Sequence, residues 1–388
     1  MMNKRTVGLK HDIYCIYVFV LFFTVLNRTF KPWGLDTRYI VFGLGSILFM
    51  LALFSKNSIC MDKNFKLILF FYLCIAISMF NQKLFMYDEG VFSNLVILNI
   101  YCFFNIVVLN VYHDHFDIKI IYKAFEFAIY CLGLGVLVTY IGLSLPFNDY
   151  LAYTTNSEVS EARYCGYGSD PNYVSVIAIC FIIFVLTFEK DFKKKLFNIL
   201  FAIFMLSLSQ SRTVIAVSAI IFLIFLFERL LMRRRIIRIF DGIAFIILSV
   251  IPFFMVKYRP MNGDVSMTIR YNLWERALNA FLQHPIFGNG LMSVRTVSYL
   301  QSGWFVQCHS TYFQILCEQG IIALFLYLLI YWYNFSNCSS KTFKYCFLVY
   351  LAWSFTYETV YLPYTILFMG VFPYCNDNFF ADSRRLSV

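Results

Sequence analysis

The chain alternates long apolar runs with short charged connections. The apolar runs lie near 13–29, 39–54, 65–80, 91–112, 124–145, 173–188, 196–209, 213–232, 241–256, 310–332, 343–359 and 362–375. A helix needs ~20 apolar residues to cross a bilayer, and most of these runs approach that length; the seventh and twelfth are short. Runs of this kind predict an all-α, polytopic membrane helix bundle with about twelve transmembrane helices. The chain reads as one integral membrane domain over 1–388, with no internal repeat, low-complexity tract or Pro/Gly-rich linker. The first run is longer than the core of a cleavable signal and no small-residue cleavage site follows it, so it is expected to be the first span.

Composition sharpens this picture. Of the 388 residues, 60% are hydrophobic and only 14% charged, where a soluble domain carries about a quarter. A soluble enzyme, a disordered protein and a nucleic-acid-binding domain are excluded on that ground. The net charge of +10 then has its source in membrane topology, because cytoplasmic connections collect Lys and Arg. With the N-terminus inside, most of the basic residues fall on the inner side, including Lys190, Lys193, Lys194 and Lys195, and Arg229, Arg233, Arg234, Arg235 and Arg238. Both termini are then expected in the cytoplasm.

Two outer connections are long, 146–172 and 257–309, and long connections on a compact bundle are usually functional. In the second, Leu273, Trp274, Ala277, Leu278, Phe281 and Leu282 recur at helical spacing. They predict an amphipathic helix on the outer membrane surface, with Trp274 at the interface. Pro285 ends it, and Gly288 and Gly290 mark turns. The alternative for this stretch is a connector packed on the protein surface. Cys165 and Cys308 are the two cysteines in these loops; two free thiols is the favoured reading, a disulfide the sharper alternative.

Candidate chemistry concentrates where the second loop enters the tenth run. Ser310 is suited to cap that helix, which sets His309 at a helix N-terminus, where the dipole disfavours imidazolium. A neutral imidazole is what a general base requires. Gly320 falls on the face of His309 and would let another helix approach. Arg163, Arg212, Arg270, Arg276 and Arg295 lie on the outer side, against the positive-inside tendency. Arg212 and Arg270 are the functional candidates, since guanidinium groups pair with phosphate oxygens; Arg276 and Arg295 read more simply as headgroup contacts. The first long loop ends in Gly168-Ser169-Asp170-Pro171-Asn172, a turn into the sixth run, and its carboxylates are suited to sugar hydroxyls or to solvent. Glu318 is expected to pair with a neighbouring helix, and the role of Glu358 stays open.

The order of these pieces resembles a known group of enzymes. Arg270, Trp274, His284-Pro285-Ile286-Phe287-Gly288-Asn289-Gly290, His309-Ser310 and Glu318-Gln319-Gly320 resemble the superfamily of O-antigen polymerases (Wzy-type) and O-antigen ligases. Ser209-Gln210-Ser211-Arg212-Thr213 and the Asp170-Pro171-Asn172 turn resemble its upstream motifs. The resemblance covers about 163–323. It implies a metal-independent, cofactor-free glycosyltransferase of the bacterial inner membrane, acting at the periplasmic face on undecaprenyl-diphosphate-linked oligosaccharides. His309, Arg212 and Arg270 are then implicated in catalysis, and Arg163, Arg276, Arg295, Asp170, Asn172 and Trp274 in binding diphosphate or glycan. Its partners would be the lipid-linked oligosaccharide, membrane lipids and a chain-length regulator, with no nucleic acid. The ligase pattern closes on Gly, Thr or Tyr where this chain has Ala323, so polymerase is the preferred reading. A ligase acting on lipid A core or protein is the alternative, and a polysaccharide-unit flippase the alternative from another class.

Overall fold

The computed structural model describes residues 4–54, 61–81, 89–113, 117–146, 153–155, 162–168, 170–211, 242–243, 245–247, 265–303, 305–338 and 341–374. The expected spans at 213–232 and, for the most part, 241–256 lie outside the described residues, as does Arg212.

The remaining apolar runs form helices: α1 (Lys4–Leu26), α2 (Arg38–Phe54), α3 (Lys63–Phe80), α4 (Glu89–Val111), α5 (Ile118–Tyr140), α6 (Pro171–Phe188) and α7 (Phe192–Ser209). After the undescribed stretch come α8 (Val265–Gln283), α9 (Ser293–Ser302), α10 (Thr311–Asn337) and α11 (Lys341–Thr356). Among the described residues, five helices are long and apolar enough to cross a membrane, namely α3, α5, α6, α10 and the Val91–Val111 portion of α4. Shorter apolar stretches occupy His11–Leu26, Arg38–Phe54 and Phe343–Phe355. The last run departs from expectation. After a turn at 357–363 its described part is not a regular α-helix but carries a π-helical segment, Ile366–Val371, followed by a 3-10 turn, Phe372–Tyr374.

Aspartates begin the helices where the sequence leaves the apolar pattern. Asp62, Asp117, Asp170 and Asp191 each accept a hydrogen bond from a first-turn N–H, of α3, α5, α6 and α7 respectively. This satisfies donors that a helix start leaves orphaned. The first long connection contains a two-stranded antiparallel ribbon, β1 (Tyr153–Thr155) and β2 (Ala162–Tyr164), which the apolar pattern does not signal.

α1 packs on α2 and α5, α6 on α7 and α11, and α3 on α10. Their inward faces make one continuous core rich in Tyr and Phe. A second, smaller core joins Trp274 and Ala277 of α8, Val294 and Val297 of α9, and Phe313 and Cys317 of α10. The helix at 265–283 is therefore real, but its apolar face meets protein rather than lipid. Trp274 is 0% exposed, stacked on Phe313 at 5.5 Å, while Leu282 stands 65% exposed. Helical periodicity defines an apolar face without saying what covers it, and the packed connector is what forms.

α10 is broken. Gly320 has φ 83° and ψ −175°, which interrupts the helical hydrogen bonding. The loop 284–290 fills the gap. Asn289 N–H donates to Cys317 O (2.8 Å), Gly290 N–H to Glu318 O (3.0 Å) and Ile321 N–H to Pro285 O (2.9 Å). The approach is backbone on backbone. A β-carbon on Gly288 would lie 2.4 Å from Gln319 N, and one on Gly320 would lie 2.2 Å from Ile286 O. The partner that Gly320 admits is thus a loop, not the helix expected from its face.

The interlock makes a graded prediction. Gly288→Ala meets the backbone of Glu318 and Gln319 at 2.4 Å and is expected to destabilise the protein by about 3 kcal/mol. Gly303→Ala, at a similar positive φ with nothing within 4 Å, is expected to lose only about 1 kcal/mol. Thermal unfolding of the detergent-solubilised variants checks the order.

Candidate functional site

Helix ends from across the chain converge on one polar cavity of about 430 Å³, within the ~300–1,000 Å³ common for small-ligand sites. Its cations are Arg28 and Lys31 of the α1–α2 connection, Arg38 of α2 and Arg295 of α9. Its carboxylates are Asp170 at the start of α6, Glu318 of α10 and Glu358 of the turn after α11. Such a concentration of charge, partly buried in a membrane bundle, is a functional feature by default.

His309 borders this cavity. Gln307, two residues before it, and Glu358, its hydrogen-bond partner, both line the wall. Its backbone is held in the left-handed region, at φ 51°, a conformation that costs of order 1 kcal/mol for a residue with a β-carbon. The surrounding contacts enforce it. His309 N–H donates to Glu358 Oε1 at 3.2 Å, and the indole of Trp274 donates to the carbonyl of Cys308 at 2.7 Å. Thr311 N–H and Oγ1 both donate to Tyr357 O, and Thr359 N–H donates back to Thr311 Oγ1. Ser310 sits at the N-cap, yet its side chain makes no cap bond and its Oγ is buried without a partner. The clamp to 357–359 replaces the expected serine cap. Among the described residues, four non-glycine residues have positive φ, Trp33, Gln210, Met292 and His309, and all four lie in connections or at helix ends. Strain of this sort gathers where the fold over-determines a site.

The electrostatics keep the imidazole uncharged. Burial, and then the field of Arg270, push His309 down to about 4, so its neutral form prevails at every pH above that value. Tyr357, whose ring centre lies 6.1 Å from that of His309, donates its hydroxyl hydrogen to Asp170 Oδ2. Burial and the nearby carboxylate push the Tyr357 phenol up. Asp170 also accepts from Asn172 N–H at 2.7 Å. Tyr361 donates to Glu318 Oε2, so Glu318 pairs with the turn after α11 rather than with the expected neighbouring helix.

The sequence-derived residues divide into three sets. Asp170 and Arg295 line the cavity, His309 borders it, and Arg270 lies close enough to His309 to act on it electrostatically. Arg163 and Asn172 sit beside it and bind each other: Arg163 Nη2 donates to Asn172 Oδ1 at 3.0 Å and its Nε to Ser209 O at 3.0 Å. Ser211 adds a bond to the same Asn172 oxygen, tying the end of α7 to the start of α6. Trp274 is a buried packing residue that positions Cys308, not an interfacial one. Arg276 is partly buried on α8 and does not line the cavity. Arg212 falls outside the described residues. Cys165 and Cys308 are both buried free thiols, as the favoured reading had it.

Sequence reasoning missed Arg28, Lys31, Arg38 and Tyr357. The three cations were visible as basic residues in the first outer connection, the same violation of the positive-inside tendency that singled out the arginines of the later loops. Tyr357 carried no signal among 28 tyrosines. Among the described residues, no three His, Cys, Asp or Glu side chains group closely enough to hold a metal ion.

The protein is thus a membrane helix bundle with a charged cavity walled by the ends of its helices. Residues 197–328 match the family described as O-antigen ligase, from within α7 to within α10. The match is consistent with the O-antigen polymerase and ligase superfamily, which the motifs around His309 resemble. No curated protein and no solved structure matches the chain.

The state of His309 is measurable. In protein carrying ¹⁵N-histidine, the His309 ring is expected to remain neutral at pH 5.5, where an exposed histidine is largely protonated. Arg270→Gln removes a repulsive charge and should raise the value. An NMR titration of His309 near 6.5 in the unaltered protein would contradict the geometry.

Proposed function

We propose that the protein polymerises undecaprenyl-diphosphate-linked oligosaccharide repeat units, by inverting glycosyl transfer at the periplasmic face of the bacterial inner membrane. The observation that carries this reading is His309: a neutral imidazole, clamped at the edge of a charged cavity, inside the segment that matches the family.

In this reading the acceptor sugar hydroxyl gives its proton to His309 as its oxygen bonds to the anomeric carbon of the donor. The bond from that carbon to the donor's diphosphate breaks with inversion, and the departing charge meets Arg270, with Arg212 assigned the same task from the motif alone. The diphosphate is already a good leaving group, so neither a nucleotide nor a metal is called for. Asp170 and Glu318 border the space where sugar hydroxyls would lie. The cavity opens among helix ends belonging to connections read as periplasmic, which agrees with both termini being cytoplasmic.

The description of the matched family favours a second reading, transfer of finished glycan to lipid A core or to protein. Ala323, buried in α10, occupies the position where the ligase pattern closes differently, and this keeps polymerase first. A flippase would carry its charge along a central path, whereas the charge here gathers where helix ends meet.

Deletion of the gene separates the readings on a gel of surface glycan. A single repeat on the acceptor indicates a polymerase, complete glycan left on its carrier a ligase, and units trapped on the inner face a flippase. His309→Ala is expected to abolish chain extension with the protein present at normal membrane levels. Long-chain polymer persisting in that variant removes the assigned base.

A further inference from the structure

Of the cavity's cations, Arg28 and Lys31 have no role in the chemistry described so far, and Arg295 has one only by resemblance. Arg38 is satisfied by Asp36, whose two oxygens each accept from its Nε at 2.9 Å. Arg28, Lys31 and Arg295 line the same cavity, and among the described residues none of them has a carboxylate within ion-pair distance. The cavity's carboxylates, in contrast, are already held: Asp170 by Tyr357 and Asn172, Glu318 by Tyr361, Glu358 by His309. The uncommitted capacity is therefore cationic. One acceptor is also left over. Gln314 of α10 is 6% exposed, lines the cavity, and its Oε1 has no hydrogen-bond partner. A buried carbonyl oxygen in that condition is stabilised by a ligand that brings a donor.

A ligand that completes this set must carry negative charge towards Arg28, Lys31 and Arg295, and a hydroxyl towards Gln314. A sugar bonded to a diphosphate has both. We propose that Arg28, Lys31 and Arg295 form the main grip on the diphosphate of the lipid-linked donor, with Gln314 accepting from a hydroxyl of its first sugar. The identity of the lipid rests on the function proposed above; the anion site rests on the cavity. Two of its three cations come from the α1–α2 connection, outside residues 197–328. That connection is held in place independently of any ligand. Thr29 N–H and Oγ1 both bond to Tyr167 O, at 3.0 and 2.9 Å, and Asn27 Nδ2 donates to Ala128 O at 3.0 Å. Arg28 and Lys31 therefore project from an anchored strap, which lowers the ordering cost of binding. Guanidinium and ammonium groups on diphosphate oxygens make the stronger, charge-assisted kind of hydrogen bond.

The test is binding without turnover. The full chain in nanodiscs of zwitterionic lipid is titrated with sugar-free C55 polyprenyl diphosphate, and bound copies are read by native mass spectrometry. The unaltered protein is expected to bind it. Arg28→Gln with Lys31→Gln should weaken binding by at least about tenfold, the loss that one charge-assisted hydrogen bond carries. The charge-preserving pair Arg28→Lys with Lys31→Arg should recover most of it, which separates charge from folding. His309→Ala should bind as the unaltered protein does. No binding by the unaltered protein, or wild-type affinity in the Gln variant, overturns the proposal. So does displacement of the probe by phosphatidylglycerol at equal mole fraction, which would mark a general headgroup contact. If binding follows the cations while His309→Ala still extends chains, the anion site stands and the assignment of His309 falls.

Discussion

A helix buried in a bundle cannot break without new partners for the carbonyl and amide groups it releases. At Gly320 the partners are the backbone of residues 285–290, and the rest of the cavity wall follows from that exchange. The loop that satisfies α10 also ends α8 and begins α9. The same contact therefore sets Trp274 against Phe313 and brings Arg295 to the cavity. Leu291 N–H donates onward to Ser78 O of α3 at 3.3 Å. The interlock is joined to the main core by this bond and by the packing of α3 on α10.

Polar chemistry in the bundle is divided between two places. In one, Lys194 bridges Glu126 and Glu189 at 2.8 and 3.1 Å, and Asn198 and the tyrosines 122 and 130 complete the hydrogen bonding around Glu126. Charge and hydrogen bonds there satisfy one another and join α5, the α6–α7 turn and α7. In the cavity they do not. The carboxylates are bonded by hydroxyl and backbone donors, while Arg28, Lys31 and Arg295 make no close ion pair among the described residues. The difference is what separates a structural network from a site, because paired charges are neutralised in place and unpaired ones await a ligand.

Much of this was legible in the chain. Apolar runs located most of the helices, since crossing lipid demands both length and hydrophobicity. His309 and Gly320 were both visible, and so was the helix at 265–283. What each would touch was not. The face of α8 was apolar by periodicity, but only the packing of Phe313 against Trp274 decides between protein and lipid. Gly320 reported a close approach without naming the approaching segment. Ser310 had the chemistry of a cap, yet the strap at 357–359 satisfies the helix start first. Tyr357 and Glu358 reach His309 across about fifty residues of sequence, a separation no local pattern encodes. Their effect is nonetheless direct, since they hold the backbone that aims the imidazole.

The walls of the cavity come from several separate parts of the chain: the α1–α2 connection, α4, the start of α6, the family-matched stretch, and the turn at 357–362. Heredity and geometry thus divide the molecule differently. A chimaera that exchanged only 197–328 with a relative would import the imidazole together with its glycine loop. It would leave the flanking walls native, and would so separate what those flanks select from what the shared stretch performs.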